Sequence, residues 1–115
     1  MSLNLYNPIA ILKDLCELAS KGNELLKKHF PSPIQKELLQ AAARSGEFQI
    51  IQVNELLYPI IRVGGIDMGN ENDPASLAAY WDSLKLLCAN GYIEHAGGAL
   101  FRLTADGFDK ARKLT

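Results

Sequence analysis

From Asn7 onward, apolar residues recur at steps of three and four. Ile9, Leu12, Cys16, Ala19, Asn23, Leu26 and Phe30 fall on one line whose one polar member is Asn23. That spacing predicts an N-terminal helix with a heptad seam. A second stripe of Ile11, Leu15, Leu18 and Leu25 runs beside it and widens the apolar face, while Lys13, Asp14, Glu17, Lys21, Glu24 and Lys28 fill much of the rest. Asn7-Pro8 is a good helix start, with Asn as cap and Pro at the first helical position. Gly22 weakens the middle by roughly 1 kcal/mol relative to Ala, so the helix has a place to break.

Pro31-Ser32-Pro33 ends this segment and opens another. Ser32 with Gln35 three residues later reads as a capping box. Ile34, Leu38, Leu39 and Ala42 give the new helix its apolar face, and Ser45-Gly46 stops it. The run Phe48 to Val53 is β-rich and suits one short strand. Asn54 then caps a short helix through Tyr58, which Pro59 kinks or ends. Residues 64–73, GGIDMGNEND, are dense in turn formers and read as a loop.

Asp73-Pro74 repeats the cap-plus-proline start. The helix from Pro74 to Asn90 places Leu77, Tyr80, Leu84 and Leu87 on one face, and Gly91 terminates it. Tyr92 to His95 and Leu100 to Leu103 read as strands around the glycine-bearing turn Ala96 to Ala99. Thr104 caps a last helix that turns Phe108, Ala111 and Leu114 inward. The expected fold is therefore mainly α with a small β-hairpin, an α+β class, divided into an N-terminal helical element over 1–30 and a compact domain over 31–115.

The segment Leu84–Leu114, LKLLCANGYIEHAGGALFRLTADGFDKARKL, resembles the second half of a bacterial winged helix-turn-helix domain of the MarR-like kind, and also small winged helices associated with phages and mobile elements. The resemblance is carried by Leu87, Gly91, Ile93, Leu103, Thr104 and Gly107: a helix ending in leucine and glycine, two wing strands, and LT-x-x-G opening a further helix. It covers about the last third of the chain. It implies a winged helix with an additional N-terminal helix, the kind of element that often forms the dimer interface in such regulators. It also implies that the helix before the wing is the one that would enter a DNA groove.

Charge speaks against that use. With Leu84 and Leu87 inward, helical spacing turns Ala78, Ala79, Trp81, Asp82, Lys85 and Leu86 outward, where groove readers place Arg, Lys, Asn, Gln, Ser or Thr. From Glu47 to Asp82 the acids are Glu47, Glu55, Asp67, Glu71, Asp73 and Asp82, against the one base Arg62. The net charge of the 115-residue chain is −1, so no general attraction to a polyanion exists. DNA contacts, if made, would fall to Lys85, Arg102, Lys110, Arg112 and Lys113. The apolar group of Ala79, Trp81 and Leu86 must be covered, either by the N-terminal helix or by another chain in which Trp81 serves as an anchor. Together with Ile9, Leu12, Cys16, Asn23 and Leu26 of the seam, these residues form a candidate protein interface, of a homodimer or with another protein.

Composition excludes several classes. A hydrophobic fraction of 48% with 22% charged residues is that of an ordinary globular domain. No apolar run is long enough for a membrane span, and the N-terminal residues lack a signal-peptide pattern, so the expected compartment is the cytoplasm. Cys16 and Cys88 make neither a disulfide framework nor a zinc site; they read as small apolar residues, with a single bridge between them as the lesser alternative. His29 and His95 have no partner at ligand spacing. The segment from Gly64 to Gly69 lacks the middle glycine of a dinucleotide loop. Asp67, Gly69, Glu71 and Asp73 alternate like a calcium loop, but its twelfth position is Ala78. No catalytic residues, metal or cofactor are expected. The leading expectation is a non-catalytic interaction or regulatory module that self-associates; the rival is a DNA-binding regulator.

Overall fold

The computed structural model describes residues 7–20, 31–51, 58–70 and 72–114. Within them the chain order is α1 (Pro8–Ser20), α2 (Pro33–Ser45), β1 (Glu47–Ile51), β2 (Ile60–Val63), β3 (Ile66–Met68), α3 (Pro74–Ala89), β4 (Ile93–Gly97), β5 (Leu100–Leu103) and α4 (Ala105–Lys113). Expectations for Asn23, Leu26, His29 and the short helix begun at Asn54 lie outside the described residues. The class is α+β.

The helix starts follow the local chemistry of their caps. Asn7 Oδ1 accepts from the Ala10 amide at 3.1 Å. At α2 both halves of the capping box form: the Gln35 amide donates to Ser32 Oγ (3.3 Å) and the Ser32 amide donates to Gln35 Oε1 (3.0 Å). Asp73 caps α3 by accepting from the Ala75 amide at 3.1 Å.

The sheet is larger than the hairpin and one short strand expected from sequence. It has five antiparallel strands in the order β3-β2-β1-β5-β4. Although the turn formers from Gly64 onward predict a loop, residues 60–68 form a hairpin turned by Gly64 and Gly65, both at positive φ. Its register opposes Arg62 to Asp67 and Ile61 to Met68.

One face of this sheet is apolar. Val63, Phe48, Phe101 and His95 make a row across four strands, with Ile50 and Ile61 paired beside it. The other face carries Glu47, Gln49, Leu100 and Arg102, all exposed. Along β1 and β5 such alternation places the helices over one side and water on the other, while Ile60 of β2 is buried on that second side. A single cluster of buried residues joins Leu12 of α1, Leu38 and Leu39 of α2, Phe48, Ile61 and Phe101 of the sheet, Leu84 and Leu87 of α3, and Ala111 of α4. The N-terminal helix thus contributes to the same core as the remainder.

Candidate functional site

The stretch Leu84–Leu114 folds around one compact junction. Helix α3 ends at Asn90, and Gly91 turns the chain with φ of 82°. The Thr104 amide donates to the Tyr92 carbonyl (3.0 Å) and the Thr104 hydroxyl donates to the Gly91 carbonyl (2.7 Å). Thr104 Oγ1 also accepts from the Gly107 amide at 3.1 Å, which caps α4. Thr104 therefore fastens the end of α3, the start of β4 and the start of α4 together. Gly107 is required because α4 crosses the Tyr92 carbonyl so closely that a β-carbon has no room.

Residues on α3 depart from the outward set expected of them. Trp81 is 6% exposed and belongs to the core. Of the two covers expected for it, its own fold supplies the cover, and the outward placement is corrected: α3 buries Leu77, Trp81, Ser83, Leu84, Leu87 and Cys88, a span of more than one face. The reason is that α1 and α2 both pack against it, so neighbours cover more than one side of it. Ala78 and Ala79 are half-buried, and Asp82 and Leu86 remain outside, Leu86 at 48% exposure. Phe108 also departs from expectation. It is exposed, because Gly107, Ala111 and Leu114 form the inward stripe of α4.

The seam of α1 is turned into its own domain. Leu12 is fully buried, and Ile9 and Cys16 pack against the core, so these three do not lie free for a partner; Leu18 of the same helix is exposed. Cys16 packs against the part of the core that holds Cys88, where α1 lies on α3.

Each of the five basic residues named for DNA contact is engaged locally. Lys85 pairs with Asp82 at 3.2 Å and stands 5.7 Å from the Trp81 ring. Arg102 pairs with Glu94 at 3.5 Å and lies opposite Glu47 on its other side. Arg112 and Lys113 share Asp109, at 2.6 and 3.0 Å. The Lys110 ammonium lies 6.0 Å from the Tyr92 ring. The two cations together hold the Asp109 carboxyl below its ordinary range.

Of the residues that suggested a calcium or nucleotide loop, Gly64 to Asp67 belong to the β2–β3 hairpin, where Arg62 donates to both oxygens of Asp67 (2.6 and 3.4 Å), and Asp73 caps α3. These hydrogen bonds keep the Asp67 carboxyl below its usual pKa. His95 packs on Phe101, with ring centroids 4.9 Å apart, and its Nε2 meets the Gly98 carbonyl at 2.8 Å. Among the described residues no group of three His, Cys, Asp or Glu is placed to hold a metal, and no helix is long and apolar enough to cross a membrane.

Sequence reasoning did not mark the lining of one concave feature. A groove of about 620 Å³ opens between the end of α1, the end of α3 and the start of α4. Cys16, Tyr92, Glu94 and Asp106 line it together with Asp109 and Lys113. Its charges are of both signs, and Asp109 and Lys113 are paired with each other. The chain matches no family model, no curated protein and no solved structure.

Proposed function

We propose that the chain is a non-catalytic module of winged-helix type that acts through protein contacts and not by reading DNA, with a second copy of itself as the first partner to test. The order α3, wing strands β4 and β5, and closing helix α4 supports the winged-helix reading. A helix-turn-helix, however, sets its first helix three or four residues ahead of the second. The described residues ahead of α3 form the β2–β3 hairpin instead.

The observation that carries the reading is the outward face of α3. It presents Leu86 and Asp82 between half-buried alanines, and its one base, Lys85, is tied to Asp82 at 3.2 Å. A polyanion needs several unneutralised cations, because affinity comes from released counterions. That leaves Leu86, at 48% exposure and with no free base beside it, as the point on this face for a protein partner to cover.

Two measurements test this. Light scattering during gel filtration is expected to give a mass that rises with concentration, and Leu86→Glu is expected to lower it to that of one chain. Fluorescence anisotropy with random duplex at low salt is expected to show no saturable binding. Micromolar or tighter binding that weakens steeply with salt would overturn the reading in favour of a DNA-binding regulator.

A further inference from the structure

Cys16 and Cys88 are far apart in sequence but are brought together where α1 packs on α3. Their surroundings differ. Cys88 is fully buried, whereas Cys16 is half-buried and lines the groove beside α4. A small solute entering that groove reaches one sulfur and not the other. We propose that the pair is an oxidation site for peroxide, in which Cys16 is attacked first and Cys88 closes a disulfide that joins α1 to α3.

The chemistry balances with hydrogen peroxide as the oxidant. The Cys16 thiolate attacks one peroxide oxygen, the O–O bond breaks, and the hydroxide released takes a proton to become water. This leaves a sulfenic acid on Cys16. The Cys88 sulfur then attacks the Cys16 sulfur; the S–S bond forms, the S–O bond breaks, and hydroxide leaves with the Cys88 proton as a second water. Two thiols and one peroxide yield one disulfide and two waters.

The division of roles follows from the environment. The hydrogen bond from Cys88 draws the Cys16 thiol below its ordinary pKa, against smaller opposing effects of burial and the charges of Glu94 and Glu17. Burial pushes the Cys88 thiol well above its own. An accessible thiolate backed by a resolving thiol is the arrangement that stops at a disulfide. Closing the bond brings the sulfurs to about 2.05 Å, so it forms only while α1 stays packed on α3 where the two cysteines lie.

The test treats the full chain with stoichiometric hydrogen peroxide, alkylates it under denaturing conditions and measures intact and peptide masses. The expected product is a monomer that has lost two hydrogen atoms, with the peptides of Cys16 and Cys88 linked. Its melting temperature should rise by roughly 10 °C because the cross-link constrains the unfolded chain, and a reductant should reverse the rise. In Cys16→Ser, at the more tolerant half-buried position, peroxide should leave Cys88 reduced in the folded protein. The proposal is overturned if wild-type Cys16 gains oxygen while Cys88 remains alkylatable, or if the disulfide forms between chains.

Discussion

The Gly107 backbone lies against the carbonyl oxygen of Tyr92 with no space for a β-carbon between them. Gly107→Ala would ordinarily favour a helix by up to about 1 kcal/mol. Here the added methyl meets backbone, which cannot rotate away, and the clash outweighs the propensity. Destabilisation of about 2 kcal/mol or more is expected in urea unfolding, as for other overpacked sites. An unchanged or raised midpoint would show that α4 can slide off Tyr92.

Thr104 serves three elements with one hydroxyl. Thr104→Val keeps the shape and removes both the cap to Gly107 and the bond to the Gly91 carbonyl. A loss of about 2 kcal/mol is expected. Thr104→Ser should recover most of it, which separates the hydroxyl from the methyl.

Trp81 and Leu86 lie on the same helix and are expected to respond in opposite ways. Trp81→Ala removes a side chain that is 6% exposed and should cost about 3–5 kcal/mol of stability. Leu86→Ala, at 48% exposure, should alter stability by less than about 0.5 kcal/mol while weakening association. Equal losses of melting temperature at the two positions would contradict this assignment.

Tyr80 ties α3 to α2 by donating its hydroxyl to Glu37 at 2.7 Å. Burial first, and then the hydrogen bond and charge of Glu37, push its pKa from 10.0 up to about 12. A raised folded pKa means that the stability it contributes is complete below pH 10.0 and is lost as pH climbs towards about 12. Stability of the wild type should therefore fall through that window, and Tyr80→Phe should flatten the fall. Phenolate absorbance should also lose a late titration step in the variant.

Much of this arrangement was legible in the chain before its fold was known, where local chemistry alone decides the outcome. Ser32 and Gln35 announced the start of α2, and Leu87, Gly91, Leu103, Thr104 and Gly107 announced α3, the hairpin and α4. The β2–β3 hairpin has a partial signal in the sequence: Ile60 to Val63 is a β-rich run, and the two glycines Gly64-Gly65 after it mark a tight turn. The density of turn residues through Asp73 masked it.

Trp81 was misplaced for a different reason. Leu77, Trp81, Leu84 and Cys88 form a stripe at helical spacing, but an inward face of Leu77, Tyr80, Leu84 and Leu87 has its margin short of Trp81 and turns it outward. Where that margin ends depends on what α1 covers, which is a tertiary fact. The pairing of Arg102 with Glu94 likewise depends on strand register, and the contact between Cys16 and Cys88 on how two helices cross.

The solvent-facing row Glu47, Arg102 and Glu94 has a consequence for how the protein meets other molecules. Opposite charges side by side cancel within a few ångströms, and whatever remains fades over about 8 Å at physiological ionic strength. From farther away this side of the sheet is electrically quiet, so it neither draws in a charged molecule nor turns the protein as it approaches. An encounter there would proceed at the unassisted diffusive rate and be decided by shape after contact, with little response to added salt.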